Sequence, residues 1–249
     1  MARSAVTFRR YLRTVPGSLL LDGVAQFLDL GNAGPVSQAL TSFSMALWQK
    51  REKFLGITAN FGNNNNAAQT NFNFQTQAAG RKLLTTIVTN NGAKALVGSN
   101  NISGYVWYHL VLTYDGANIN WYVNGQFDST TTHTGTVAAA TTGTNIGTGS
   151  APVGGAFRYF GGYQCEHQFW NSRVLTASDV ALLAAGTPDS SLRTGLASEW
   201  LLYTNGNDSV GSNNATASGS PVFSSTEVPV KNRTLVSNRV ATNGRTVIN

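Results

Sequence analysis

The chain has 249 residues, of which 41% are hydrophobic and only 11% are charged. This length fits one large β-sandwich or two small domains, and the many Asn, Thr, Ser and Gly residues favour short strands joined by polar turns over a helical bundle. No apolar run approaches the roughly 20 residues of a membrane-spanning helix, and the basic N-terminus lacks the apolar stretch of a classical secretory signal. The one cysteine, Cys165, excludes an intramolecular disulfide.

The net charge of +6 is concentrated at the two ends of the chain. We therefore predict a basic N-terminal arm at 1–17, one near-neutral domain at 18–227 and a basic C-terminal arm at 228–249. Two interpretations of the arms stay open: solvated tails, or arms that contact neighbouring protein subunits or an acidic surface. The body shows no basic face, so no specific nucleic acid is expected. The arm cations are Arg3, Arg9, Arg10, Arg13, Lys231, Arg233, Arg239 and Arg245.

Alternation of apolar and polar residues recurs along the chain and predicts β-strands throughout. The clearest region is a meander of three strands, because Asp115-Gly116 and Asn124-Gly125 are dipeptides that tight hairpin turns prefer. In chain order, the predicted strands are Leu19–Val24, Gln26–Leu30, Ser42–Gln49, Phe54–Thr58, Asn71–Gln75, Leu83–Thr89, Tyr105–Tyr114, Asn118–Val123, Asn145–Gly147, Phe157–Tyr163, Glu166–Trp170 and Ser198–Tyr203.

One short helix is expected near the end of this series. Thr176 and Asp179 have the spacing of a capping box, Val180 begins an apolar face, and Gly186 is a natural stop. Residues 63–66 are predicted to be a flexible loop, and no stretch is long enough to be a linker. The pattern therefore predicts a single β-sandwich domain.

Several segments together resemble the laminin-G/pentraxin-like domains of the concanavalin A-like lectin/glucanase superfamily. The resemblance covers roughly residues 18–225 and implies an all-β fold, a two-sheet antiparallel jelly-roll sandwich with one short helix and extended basic terminal arms. The most specific match is Trp107–Gly116 followed by Trp121–Gly125. The other similar segments are Leu21–Gly31, Phe43–Trp48, Phe160–Thr176, Leu196–Trp200 and Asp208–Thr216.

The superfamily includes glycanases, and a retaining glycosidase needs two carboxylates about 5 Å apart. Glu166 stands alone here, with Cys165 where relatives often have an acid, so we assign no catalytic residue and expect no enzyme. Cys165 and His167 are two apart on a predicted strand and so share a face, where the imidazole could activate a thiolate. A buried small side chain beside a hydrogen-bonded imidazole is the simpler interpretation.

Calcium is the cofactor that the resemblance implies, held by oxygen ligands from loops at one rim of the sandwich. The candidate ligands are Asp29, Asp115 and Asp128, although turn chemistry also explains Asp115. No dense run of Asp and Asn is present, so we expect no cofactor, with calcium as the alternative.

A glycan surface is predicted on loops 60–77 and 128–142 and on aromatic side chains, because amides supply hydrogen bonds and rings supply stacking. Trp121 and Tyr122 have opposite facing on their strand, so at least one should be exposed. Most of the five tryptophans are expected in the core. The candidate ligand-binding residues are Asn60, Asn63, Asn64, Phe72, Phe74, Trp121 and Tyr122.

The favoured hypothesis is a structural interaction protein, a homo-oligomeric subunit displayed on a larger assembly such as a bacteriophage virion, where it decorates the capsid and binds host glycans. It is motivated by an extracellular kind of domain without an export signal, since lysis delivers a virion protein outside the cell. We expect it on the virion surface or in another extracellular assembly. The alternative is a stand-alone lectin-like carbohydrate-binding module, and a third is a glycoside hydrolase.

Overall fold

A computed structural model of the chain describes residues 17–53, 57–63, 71–77, 81–140, 142–149, 158–187 and 189–229. All eight predicted arm cations lie outside these residues. The described chain is mostly β-strand with one α-helix, and it contains no helix long and apolar enough to cross a membrane. The predicted all-β class is confirmed.

The strands form two antiparallel sheets. In spatial order, the first sheet runs β10-β9-β8-β3-β12-β1-β15, with β13 also paired to β12, and the second runs β14-β2-β11-β4-β5-β6-β7. In chain order the elements are β1 (Ser18–Asp22), β2 (Phe27–Asp29), β3 (Phe43–Arg51), β4 (Thr58–Asn63), β5 (Phe72–Thr76), β6 (Lys82–Thr89), β7 (Gly92–Asn101), β8 (Trp107–Tyr114), β9 (Asn118–Val123), β10 (Gln126–Thr132), β11 (Thr144–Ile146), β12 (Gly161–Asn171), α1 (Ala177–Ala185), β13 (Leu196–Trp200), β14 (Thr216–Ser218) and β15 (Val222–Ser224).

The hydrophobic core lies between the two sheets and is rich in aromatic rings. Phe43 of the first sheet packs against Phe72 of the second, with 4.6 Å between ring centroids. Phe72 also stacks near Phe169 at 6.3 Å, and Phe74 meets Trp121 edge-on at 4.4 Å. Burying such side chains supplies about 25 cal/mol per Å² of apolar surface and joins the sheets into one sandwich.

The outer faces of the two sheets differ. A second cluster, which includes Ala46, Val111 and Trp170 of the first sheet, packs against Val180 of α1, so the helix covers part of that outer face. The second sheet is open over β6 and β7, where Val97 is 43% exposed. The second sheet is thus exposed at its β6–β7 end, whereas Asn73, Gln75 and Asn145 of β5 and β11 are buried.

The predicted turn and helix signals are confirmed. Both Asn124 and Gly125 have positive φ, 50° and 83°, as the tight turn between β9 and β10 requires. Thr176 and Asp179 form the capping box of α1, and Gly186 ends the helix in the left-handed conformation.

Some strand boundaries differ from the prediction. The segments predicted at 157–163 and 166–170 belong to one strand, β12, with a β-bulge between Cys165 and Gln168. Residues 54–56 of the strand predicted at 54–58 lie outside the described residues, and β4 begins at Thr58. The strand β7 was missed because its sequence lacks apolar alternation. Because β7 is an edge strand with mostly exposed side chains, it needs little apolar surface.

Candidate functional site

Three aromatic residues predicted to bind a glycan lie in the core instead. Phe72, Phe74 and Trp121 are at most 1% exposed, so none of them can stack on a sugar. For Phe72 and Phe74 the prediction was wrong because it took 60–77 as a ligand loop, although Asn71–Gln75 was also predicted as a strand. The described residues 72–76 form β5, which turns both phenylalanine rings toward the first sheet.

The remaining predicted residues have different positions. Asn60 is buried and its Nδ2 donates to Thr76 Oγ1 at 3.4 Å, so it is an interior residue and not a surface ligand contact. Tyr122 is half-buried and packs edge-on against Phe127, with 5.8 Å between ring centroids. Asn63 ends β4, and its side chain, like the whole of Asn64, lies outside the described residues.

The three candidate calcium ligands bind backbone N–H groups. Asp29 Oδ1 accepts from the N–H of Gly31, and Asp115 Oδ1 accepts from those of two residues in its turn. Asp128 accepts from the N–H groups of Ser99 and Asn100 and so ties the edges of the two sheets together. Within the described ranges, no three His, Cys, Asp or Glu side chains lie close enough to hold a metal.

The residues considered for catalysis do not form a catalytic pair in the structure. The bulge in β12 interrupts the alternation of side chains, so a spacing of two no longer places Cys165 and His167 on one face. His167 is fully buried near Phe61, and burial lowers its pKa to about 3, so the imidazole is neutral. Glu166 Oε1 accepts a hydrogen bond from Tyr203 Oη at 2.5 Å.

The structure instead brings polar side chains together on the outer face of the second sheet. Since Phe72 and Phe74 point into the core, Asn73 and Gln75 point outward. The strand register places Asn145 of β11 and Asn73 of β5 on either side of Gly62 in β4. Neighbouring strands lie about 4.8 Å apart, so roughly 10 Å separates the two asparagines across this glycine.

A second cross-strand row lies beside the first. Ala59 of β4 pairs with Gln75 of β5, and the N–H of Ala59 donates to the backbone oxygen of Arg158. Arg158 Nη1 reaches across Ala59 and donates to Gln75 Oε1 at 3.1 Å. Two small residues thus form a floor bordered by amides and one guanidinium. We call this surface the amide face: Ala59, Gly62, Asn73, Gln75, Asn145 and Arg158.

Three hydrogen-bonding atoms of the amide face have no partner among the described residues. Asn145 is fully buried, and both its Nδ2 and its Oδ1 are unpartnered, as is Gln75 Nε2. Native proteins satisfy the large majority of buried polar side-chain atoms, and each unsatisfied group costs about 1–3 kcal/mol. Asn73 is engaged, because its Oδ1 accepts from the N–H of Thr86 at 2.9 Å.

A different set of unpartnered amide atoms lies between the sheets. Gln49 Nε2 and Oε1, Asn60 Oδ1 and Gln164 Oε1 are buried there, and Gln164 Nε2 donates to the backbone oxygen of Asn60. Both sheets enclose these groups, and internal water is what ordinarily satisfies such groups. The amide face differs because it lies on an outer sheet surface that continues into the open β6–β7 region.

Sequence reasoning missed most of the amide face. Asn73 and Gln75 fall inside a predicted strand and a proposed ligand loop, yet neither was singled out. The signal was available in Phe72-Asn73-Phe74-Gln75, where the phenylalanines predict an inward face and the amides an outward one. Asn145 and Arg158 had no such signal, because the strand register alone brings them to β4.

This architecture, two antiparallel sheets with a helix on one outer face, defines a lectin-like jelly-roll domain. A family model, Laminin_G_3 of the concanavalin A-like lectin/glucanases superfamily, matches residues 22–181. The chain belongs to this family. No curated protein gives a significant match to the chain.

Solved structures with the same fold have low sequence identity to the chain. A candidate carbohydrate-binding protein from Bacteroides ovatus is 19% identical with a TM-score of 0.67, over 88% of this chain and 62% of its own length. The chain therefore spans less than two thirds of that protein. The heptameric SAP-like pentraxin of Limulus polyphemus is 17% identical with a TM-score of 0.59, over 87% of this chain and 97% of its own.

A third similar structure is the CBM40 domain of the Ruminococcus gnavus IT-sialidase, solved with α2,3 sialyllactose bound. It is 17% identical with a TM-score of 0.54, over 69% of this chain and 98% of its own. At these identities the likeness shows the shared jelly-roll fold.

Proposed function

We propose that the protein is a non-catalytic carbohydrate-binding module that holds a saccharide against the amide face. The observation that carries the proposal is Asn145, a fully buried amide whose donor and acceptor atoms are both unpartnered. A protein keeps such a group at a cost of about 1–3 kcal/mol for each unmet atom. A buried polar group without a partner requires an explanation in a native structure, and a ligand that completes its hydrogen bonds is one.

The chemistry of the amide face suits sugar hydroxyl groups. A hydroxyl both donates and accepts, so it can pair with the amide N–H of Gln75 and with either polar atom of Asn145. The floor of Ala59 and Gly62 carries no side chain larger than a methyl group, and Val97 supplies exposed apolar surface on the open half of the sheet. Ala59, Gln75 and Asn145 are at most 2% exposed in the free protein, so a saccharide contacts them only when this face becomes open to solvent.

Glycan-array screening of the full chain, followed by calorimetry with the best oligosaccharides, tests this function. We expect Asn145→Leu to lose most of the affinity, because leucine keeps the branched shape but removes both hydrogen-bonding atoms. Gly62→Val should also weaken binding, since a Cβ at this position would lie 3.1 Å from the Cβ of Asn73 and fill the floor.

Phe127→Ala tests an alternative binding site at the edge of the first sheet. Phe127 is 57% exposed and pairs with Tyr122 at the edge of the first sheet, where an aromatic platform could also hold a sugar. Loss of binding in Phe127→Ala, with full binding in Asn145→Leu, would move the site to that edge. No binding to any glycan would refute the proposed function.

A second candidate function, a subunit of a larger extracellular assembly such as a virion, is favoured by one observation. Ser18 Oγ donates to the backbone oxygen of Glu227, and β1 pairs with β15, so the two basic arms begin side by side. Both basic segments of the sequence are therefore joined to the domain at the same edge, which favours a joint contact with one acidic partner surface. Native mass measurement of the full chain against residues 18–227 tests this: an unchanged monomer would refute it.

A further inference from the structure

Arg158 borders the amide face as a half-buried cation. Lys50, Arg173 and Arg193 each form an ion pair with a carboxylate, whereas Arg158 takes part in none of the ion pairs of the described chain. Its partner there is the neutral Gln75 Oε1, which occupies Nη1 and leaves the other guanidinium donors for a ligand.

The surroundings of Arg158 favour an incoming anion. Burial lowers the pKa of the guanidinium, because removing it from water disfavours the charged form. A carboxylate that pairs with it would offset this penalty. The planar fork of an arginine matches a carboxylate in two parallel N–H···O bonds, a geometry that lysine lacks.

The charges around the amide face also give a ligand one orientation. Asp29 of β2 pairs with Asn145 in the register, on the side away from β4, so a negative charge borders the face there. Arg158 lies on the Ala59 row, against β4 itself. A ligand carboxylate is attracted to Arg158 and repelled by Asp29, while hydroxyl groups can donate to Asp29.

We infer that the ligand is a sugar bearing a carboxylate, with the carboxylate paired to Arg158 and the ring hydroxyls to Asn145 and Gln75. This inference rests on the proposed function and names the ligand class for the same face. Charge-assisted hydrogen bonds contribute about 1.5–3 kcal/mol, so the acid should bind roughly tenfold to a hundredfold more tightly than its neutral counterpart.

Calorimetry with two matched pairs of probes tests the inference on the full chain. The first pair is sialyllactose and its methyl ester, and the second is trigalacturonate and its methyl ester. The pairs distinguish a terminal sialic acid from a uronic acid as the source of the carboxylate. We expect the acidic member of at least one pair to bind about tenfold to a hundredfold more tightly than the neutral member.

Three variants assign this preference to one side chain. Arg158→Gln should bring the affinity ratio within the pair to about one, and Arg158→Lys should keep part of it because the charge remains without the fork. Lys94→Gln removes a cation from an exposed position on β7 of the same sheet and should keep the full ratio. Thermal unfolding of each variant checks that it is folded.

The outcomes separate this inference from the proposed function. Equal affinity for acidic and neutral probes overturns the carboxylate ligand and leaves carbohydrate binding intact. A preference that survives in Arg158→Gln overturns the role of Arg158. Should Arg158→Gln fail to fold, the ester comparison with the unmodified protein still decides, and absence of binding to any saccharide overturns the proposed function itself.

Discussion

Asn145 and Asn71 are both buried asparagines of the sandwich, but they differ in whether their side-chain atoms are hydrogen-bonded. Asn71 Nδ2 donates to the backbone oxygen of Val36 at 2.9 Å, and its Oδ1 accepts from the N–H of Phe72 at 2.7 Å. Asn145 has no partner for either atom within the described chain. Replacing each residue by leucine should therefore change the free energy of unfolding in different directions.

The expected magnitudes follow from the cost of unmet hydrogen bonds, about 1–3 kcal/mol for each buried group. Asn145→Leu removes two such groups, a gain of about 2–6 kcal/mol, and slight overpacking offsets about 1–3 kcal/mol of it, so the net change should lie between a loss of about 1 and a gain of about 5 kcal/mol. Asn71→Leu leaves the Val36 oxygen and the Phe72 N–H without partners, so it should lose about 2–5 kcal/mol.

Urea unfolding of the full chain, compared at constant m-value, measures both changes. If Asn145→Leu loses as much stability as Asn71→Leu, the Asn145 amide is satisfied in the free protein, for instance by internal water. The main support for ligand binding at the amide face would then be gone. A gain in stability together with lost saccharide binding is the trade-off expected of a residue retained for function.

Three further changes test other parts of the structure. His167→Phe should make the protein less sensitive to acid. Burial lowers the pKa of folded His167 to about 3, so on acidification the unfolded state binds a proton before the folded state does. The stability of the unmodified protein should therefore fall by up to about 1.4 kcal/mol per pH unit below 6.5. Urea titrations at pH 7 and pH 4.5 should show a smaller loss in the variant. Asp208→Asn should destabilise: burial raises the Asp208 pKa, but backbone N–H donors outweigh this and lower it, so its contribution is present near neutral pH and lost on acidification. If the unmodified protein and Asp208→Asn lose the same stability on acidification, this reasoning is contradicted. Gly125→Ala should cost about 1–2 kcal/mol by thermal unfolding, since its φ is positive and a Cβ would lie 3.1 Å from that of Ala184; no loss would refute the strain.

Local signals predicted the elements that depend on a few neighbouring residues. The strand Asn118–Val123 and the turns that flank it follow from two dipeptides and strict alternation, and the capping box located α1. By contrast, β4 has a weak signal because Ala59 and Gly62 are small and the strand contains a single large apolar residue, Phe61. The sequence analysis therefore assigned Thr58 to a preceding strand and Asn63 to the following loop.

The amide face could not be predicted from the sequence for a physical reason. Asn73 and Asn145 are more than 70 positions apart, and they meet across Gly62 because β4 pairs with both β5 and β11. Hydrophobic alternation reports which side of a strand a residue faces, but it carries no information on which strands are neighbours. The aromatic residues predicted from the sequence have rings that could stack on a sugar, but Phe72, Phe74 and Trp121 are buried in the core.

One irregularity in β4 creates the floor of the amide face. Ala59 and Gly62 are three residues apart and would face opposite sides of a regular strand. A register shift between Ala59 and Phe61 inserts Asn60 as an extra residue, so Ala59 pairs with Gln75 and Gly62 pairs with Asn73, two positions that share the outer side of β5. The same shift turns the Asn60 side chain toward Thr76 in the interior. Asn60, which the sequence analysis selected as a ligand contact, thus contributes indirectly. Its insertion places Ala59 and Gly62 on the same side of β4, beside the unpartnered amides.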